Sequence, residues 1–205
     1  MATVTITGST GSDTITLAAT QTEVIFDSAG GNDQITFGAN ATTLSVSGTA
    51  GVHTTIGSGN NDVVNISNAS SITVNSIETL LGTSTATQQI TFTGAATTTV
   101  QLIDSLIGSA SAEVITFSAA NTTTIAALDS IVGTASTEIV TFSGNNTTTA
   151  SLIDSLIGTS ASEAVTFSGN TTTTTGGIDT LVGTASTDII TLTGANTVTV
   201  SLLDS

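Results

Sequence analysis

Short stretches of alternating apolar and polar residues recur along the chain. Segments 115–117, 140–142 and 165–167 read Ile-Thr-Phe, Val-Thr-Phe and Val-Thr-Phe. A period of two predicts β-strands with one buried face. Each is followed by a Thr-rich run and then by a short apolar run, so we expect three short strands per repeating unit.

The unit has a fixed length. A motif of the form Ile/Leu-Asp-Ser/Thr-Leu/Ile-Ile/Val-Gly occupies 103–108, 128–133, 153–158 and 178–183, a spacing of 25 residues. Such a period is typical of solenoids. We predict an all-β, right-handed parallel β-solenoid of about eight turns of about 25 residues. It would be one domain, 1–205, less regular over 1–76 and regular over 77–205. One expected core ladder is Phe92, Phe117, Phe142, Phe167 and Leu192.

The composition limits the partners. The chain has no Lys, Arg, Pro, Cys, Trp or Tyr, and its fifteen Asp and Glu give a net charge of −15. Such a surface cannot neutralise phosphates, so we expect neither nucleic-acid nor anionic-membrane binding. Thr, Ser and Gly interrupt every apolar run, so we expect no membrane insertion.

Fourteen of the fifteen acids fall at two positions of the repeat, and only Glu23 lies outside them. If the repeat is one turn, each position forms a column along the rod. The first column is Asp13, Asp33, Asp62, Glu113, Glu138, Glu163 and Asp188. The second column is Asp27, Glu78, Asp104, Asp129, Asp154, Asp179 and Asp204.

Stacked carboxylates about 4.8 Å apart repel one another. Calcium would remove the repulsion, because it takes six to eight oxygen ligands. We therefore predict calcium as the cofactor and all fourteen acids as candidate ligands. The alternative is that the columns are solvated corners that discourage edge-to-edge aggregation. His53 falls in the second column, and we interpret it as a surface substitution.

Segments 8–16, 29–36 and 57–64 resemble the glycine-rich nonapeptide of the repeats-in-toxin family, Gly-Gly-x-Gly-x-Asp-x-apolar-x. The resemblance implies calcium shared between successive turns by backbone carbonyls and by Asp13, Asp33 and Asp62. It also implies export without a cleaved N-terminal signal, by a type I-like route, to the cell surface or medium. The Thr- and Ala-rich composition is similar to that of calcium-dependent surface-layer proteins.

We expect no enzymatic activity. General acid–base or nucleophilic chemistry needs a positioned base, and the chain offers one His and carboxylates that repeat along the rod.

Both ends of the sequence fall within the repeat pattern, at Val4 and Ile6 and at Leu202 and Leu203. Open solenoid ends can stack head to tail without closing. We therefore predict a secreted structural protein that forms a calcium-dependent homopolymer, as a filament, surface lattice or biofilm matrix. One alternative is an ice-binding or adhesive solenoid that works through its Thr-rich face. Another is a repeat segment that helps a larger protein fold on export.

Overall fold

The fold is a stack of short parallel strands. The computed structural model describes residues 3–40, 42–48, 52–58, 61–67, 70–84, 87–134, 136–159, 162–169, 171–183, 188–193 and 198–201. Its regular elements are all β-strands. The described residues include no helix long and apolar enough to span a membrane.

The chain alternates between two sheets, placing one strand in each per turn. The strands are β1 (Thr3–Thr7), β2 (Thr14–Thr16), β3 (Glu23–Ser28), β4 (Gln34–Thr36), β5 (Thr43–Gly48), β6 (Val52–Ile56), β7 (Val63–Ile66), β8 (Ser70–Asn75), β9 (Thr79–Leu81), β10 (Gln88–Phe92), β11 (Ala96–Gln101), β12 (Ser105–Ile107), β13 (Glu113–Phe117), β14 (Asn121–Ala126), β15 (Ser130–Val132), β16 (Glu138–Phe142), β17 (Asn146–Ser151), β18 (Ser155–Ile157), β19 (Glu163–Phe167), β20 (Thr171–Gly176), β21 (Thr180–Val182), β22 (Asp188–Leu192) and β23 (Thr199–Ser201). Odd-numbered strands form a twelve-stranded sheet, the odd sheet, and even-numbered strands an eleven-stranded one, the even sheet. The predicted all-β parallel solenoid is confirmed.

The turns are shorter than predicted. In the odd sheet Thr3 pairs with Glu23 and Glu23 with Thr43, so residues 20 apart are neighbours. Later in the same sheet, Val114 and Ser130 pair at a spacing of 16 residues. The predicted turn of about 25 residues is therefore wrong, and the turns are correspondingly more numerous than the eight predicted.

The predicted three strands per repeat are present, but a turn uses only two of them. The 25-residue repeat therefore covers one and a half turns, and successive copies of a residue lie on opposite sheets. Phe117 is in β13 of the odd sheet and Phe142 in β16 of the even sheet. The sequence period reports when a residue type recurs, which here is not when the chain completes a circuit.

The core fills the space between the sheets. Phe92, Phe117, Phe142 and Phe167 are buried, as predicted for core residues. They do not form one ladder, however, because they alternate between sheets. Phe117 pairs with Val100, and Phe142 pairs with Ile125. Leu192 belongs to the last even strand and is 48% exposed.

The repeated glycines mark places where two turns touch. A Cβ on Gly108 would lie 1.9 Å from the carbonyl oxygen of Ala127, and one on Gly133 would lie 2.0 Å from that of Leu152. Ala127 and Leu152 have positive φ, 53° and 55°, a region that non-glycine residues seldom adopt. Any side chain at these glycines would push the next turn away.

Candidate functional site

The acidic residues lie at or near the corners, where the chain passes from one sheet to the other. We call the members of the first predicted column the inner acids, and of these all but Asp13 are buried. We call the members of the second column the outer acids. Glu78 is half-buried, and Asp27, Asp104, Asp129, Asp154 and Asp179 are exposed. Asp204 lies outside the described residues.

Each inner glutamate closes the turn that precedes its own strand. Oε1 of Glu113 accepts hydrogen bonds from the backbone N–H of Ser109, at 3.0 Å, and from its hydroxyl. Glu163 accepts the same pair from Thr159, at 3.0 and 2.6 Å. Glu138 accepts a bond from the Thr134 hydroxyl at 2.6 Å. The inner acids thus satisfy turn groups that other side chains would have to cap.

The outer acids act across turns. Oδ2 of Asp129 accepts the backbone N–H of Glu113 at 3.1 Å, and Oδ2 of Asp154 accepts that of Glu138 at 2.9 Å. Three more such contacts join Asp179 to the N–H of Glu163, Asp104 to that of Gln88, and Glu78 to that of Asp62. An inner and an outer acid therefore form a pair in adjacent turns. Asp27 has no such role, since it lies on the outer face of β3.

These pairs replace the two predicted columns. In the preceding turn the neighbour of each later inner acid is uncharged: Ala96 pairs with Glu113, Asn121 with Glu138, and Asn146 with Glu163. Because copies alternate between sheets, successive pairs also lie on opposite edges. The expected repulsion along rows of seven acids therefore does not arise.

The inner glutamates leave one oxygen without a hydrogen bond. Oε2 of Glu113, Glu138 and Glu163 is buried and has no hydrogen-bond partner. For Glu138 this oxygen and the carbonyl of Leu152 both lie within 3.0 Å of the point where a Gly133 side chain would begin. Two oxygens brought this close favour a cation or a hydrogen-bond donor between them.

Gln88 occupies the inner-acid position in β10. Its Nε2 donates to the Thr83 hydroxyl at 3.2 Å, and its backbone N–H donates to Asp104. The sequence comparison missed it because a one-residue insertion shifts it from the five-residue spacing after Gly82. An uncharged amide therefore fits a corner that elsewhere holds a carboxylate.

His53 is buried, and its interpretation as a surface residue is wrong. Only 1% of it is exposed, and its Nδ1 lies 3.2 Å from Oδ2 of Asp33. The edge of one ring faces the other where His53 meets Phe26, at 6.1 Å between centroids. Burial lowers the pKa of His53, and the nearby Asp33 carboxylate only partly offsets this. The sequence offered no signal, because the stack Asp13, Asp33 and His53 follows a 20-residue spacing.

The three glycine-rich turns keep their aspartates close to backbone groups. Asp13 accepts the N–H of Ser9 at 2.6 Å, and Asp62 accepts that of Ser58 at 2.7 Å. Asp33 accepts the N–H of Asp13 from the previous turn at 3.0 Å. Within the described ranges, no three Asp, Glu or His side chains gather closely enough to hold a metal ion. Calcium at these corners would therefore depend on backbone carbonyls and water for most of its ligands.

No protein family matches this chain, and no curated protein or solved structure is significantly similar to it.

Proposed function

We propose that this chain is a non-catalytic structural protein of the cell surface or extracellular matrix, whose copies stack end to end. The observation that carries the proposal is the form of the two ends of the described solenoid. Strands β1 and β2 border one end and β22 and β23 the other, one strand from each sheet at both. A second copy shifted along the axis could therefore extend both sheets in parallel.

The side chains of the end turns support this proposal. Leu192 and Val200 are 48% and 47% exposed, whereas Phe167 and Leu181 in the turns beneath them are fully buried. Val4 and Ile6 in β1 are half-buried. A further turn on either end would cover this apolar surface. Leu202 and Leu203, also predicted to contribute, lie outside the described residues.

The distribution of charge supports calcium as the ion of this polymer. A buried carboxylate without a cation is costly, and the chain contains no Lys or Arg. The unpartnered Oε2 atoms of the inner glutamates, beside backbone carbonyls of the next turn, are the donors that best suit a hard cation. The exposed outer aspartates offer a second oxygen to the same corners or to solvent.

The extracellular setting follows from the resemblance of the glycine-rich turns to the repeats-in-toxin nonapeptide. In the described part, the outward rows mix Thr with Ile and Val. In the even sheet, Thr124 is followed by Thr141 and then by Ile157. A face of Thr alone, which the ice-binding alternative would use, is therefore interrupted, and stacking remains the better-supported function.

Polymer length measured by electron microscopy and sedimentation tests this function. The purified chain should form unbranched filaments that lengthen with concentration. Ile6→Asp at the end strand should shorten them, whereas Thr97→Asp, an exposed position in the middle of the solenoid, should not. Dispersed monomers at every concentration, or equal effects of both variants, would overturn the stacking.

Calcium is tested separately by titration. The triple variant Glu113→Gln, Glu138→Gln and Glu163→Gln should bind fewer calcium ions than the parent chain and keep its circular dichroism spectrum. If chelation changes neither spectrum nor filament length in the parent chain, the calcium component fails while stacking can still stand.

A further inference from the structure

The outer faces of the two sheets differ in a regular way. Two outward positions of the repeat alternate in residue type as the copies alternate between sheets. In the even sheet they are Ile107, Ile139, Ile157 and Ile189. In the odd sheet they are Val114, Val132, Ala164 and Val182. The even sheet thus carries the larger apolar side chain at every one of these positions.

The exposed leucines lie on a matching edge. Leu102 and Leu152 are 37% and 52% exposed, and each sits at a corner where the chain leaves the odd sheet for the even sheet. The equivalent residues at corners leading the other way are Ala127 and Gly177. Both leucines have positive φ, where a smaller residue would be less strained. Large apolar groups are therefore placed beside the even sheet and omitted from the opposite edge.

Charge follows the same division. The outer face of the odd sheet includes Glu23 and Asp27, both exposed in β3. Across the described strands of the even sheet, the outward residues are Thr, Ser, Ile, Gln, Asn, Ala and Gly, with no charged side chain. A carboxylate is costly to bury in an interface that provides no cation. The even sheet is the face that can be covered without burying one.

We propose that the outer face of the even sheet is a lateral interface that packs against the same face of a second copy of this chain. Every copy carries a net charge of −15 and no basic side chain, so two copies can approach closely only through uncharged surfaces. A two-fold axis would bring the two even sheets face to face, about 10 Å apart, and leave the acidic corners in solvent.

The face is large enough for a stable pair. Eleven strands spaced about 4.8 Å apart, each presenting about 17 Å of length, cover roughly 900 Å² per copy. Specific dimers bury about 800 Å² per partner. The pairing goes beyond end-to-end stacking, because it joins rods side by side and needs no open end.

Small-angle scattering and multi-angle light scattering test the pairing on full-length chain carrying Ile6→Asp, which suppresses end stacking. The expected result is a dimer whose cross-sectional radius of gyration exceeds that of one rod, with unchanged length. Ile139→Thr with Ile157→Thr should weaken dimerisation at least about tenfold. The matched pair Val132→Thr with Val182→Thr, on the odd sheet, should leave it unchanged.

Three outcomes would overturn the pairing. The Ile6→Asp chain could be monomeric at all concentrations, both double variants could dimerise equally well, or the odd-sheet variant could be the one that dissociates. Circular dichroism of each variant shows whether the fold is kept, and Thr already occupies neighbouring outward positions in both sheets. Failure here leaves end stacking intact, because that is read from filament length in chain without Ile6→Asp.

Discussion

Strands β1 to β8 and strands β9 to β23 build the same two-sheet solenoid from different sequence periods. In the first region residues 20 apart stack, so Asp13, Asp33 and His53 occupy successive turns at one corner. In the second region a 25-residue repeat is laid over turns that pair residues 16 to 19 apart. The first region therefore stacks ionisable groups directly, and the second separates them with uncharged neighbours.

The difference shows two ways for an acidic chain without Lys or Arg to limit repulsion. In the first region Asp33 faces an imidazole, the chain's one ionisable basic side chain. In the second, each pair of acids is separated from the next by Ala or Asn, and successive pairs lie on opposite edges. A repeat of one and a half turns is what creates that alternation.

The largest effect should come from the glycines that touch the next turn. Gly133→Ala would bring a Cβ to 2.0 Å from the Leu152 carbonyl, and we expect a loss of about 3 kcal/mol in unfolding free energy. Hydrogen exchange should show the loss concentrated around β15 to β18, because a solenoid couples mainly neighbouring turns. Gly11→Ala is the control: its Cβ would meet nothing closer than 3.6 Å. A comparable loss in both variants would contradict the close approach.

A smaller effect should come from the inner glutamates. Glu138→Gln, measured with a chelator present, should stabilise the chain by about 1 kcal/mol, because the amide removes a buried charge and can donate to the Leu152 carbonyl. Gln88→Glu is the reverse change at an equivalent corner and should destabilise by a similar amount. Denaturant unfolding measures both. Destabilisation by Glu138→Gln would show that the carboxylate is required in the absence of metal.

The smallest effect should be the pH response of the first region. Burial lowers the pKa of His53 below its ordinary 6.5, so the unfolded chain binds a proton more readily. Stability is therefore full above about pH 6.5 and falls as the pH drops from there through the folded-state pKa. Hydrogen exchange should show the loss around β3 to β6, and His53→Gln should remove it. A response in β13 to β19 instead would assign it to the carboxylates.

The sequence supports part of this account and could not support the rest. Alternation around Phe117 and Phe142 was enough to predict parallel strands with a packed core, because inward and outward positions have different chemistry. The register was not predictable, since a 25-residue period fits either one turn of three strands or one and a half turns of two. The burial of His53 and the role of Gln88 depend on that register. The corner acids were recognised as a set, whereas their pairing across turns required the fold.

The central claim, that the 25-residue repeat covers one and a half turns, is tested most directly by cysteine cross-linking in this cysteine-free chain. Thr99 and Thr116 pair in adjacent strands of the odd sheet, so their Cα atoms lie about 4.8 Å apart, within disulfide range. Thr116 and Thr141 are one repeat apart and lie on opposite sheets. Mild oxidation should close an intramolecular disulfide in Thr99→Cys with Thr116→Cys and none in Thr116→Cys with Thr141→Cys. The opposite result would mean that the repeat is the turn, and would contradict the alternation on which the acid pairs and the even-sheet interface both depend.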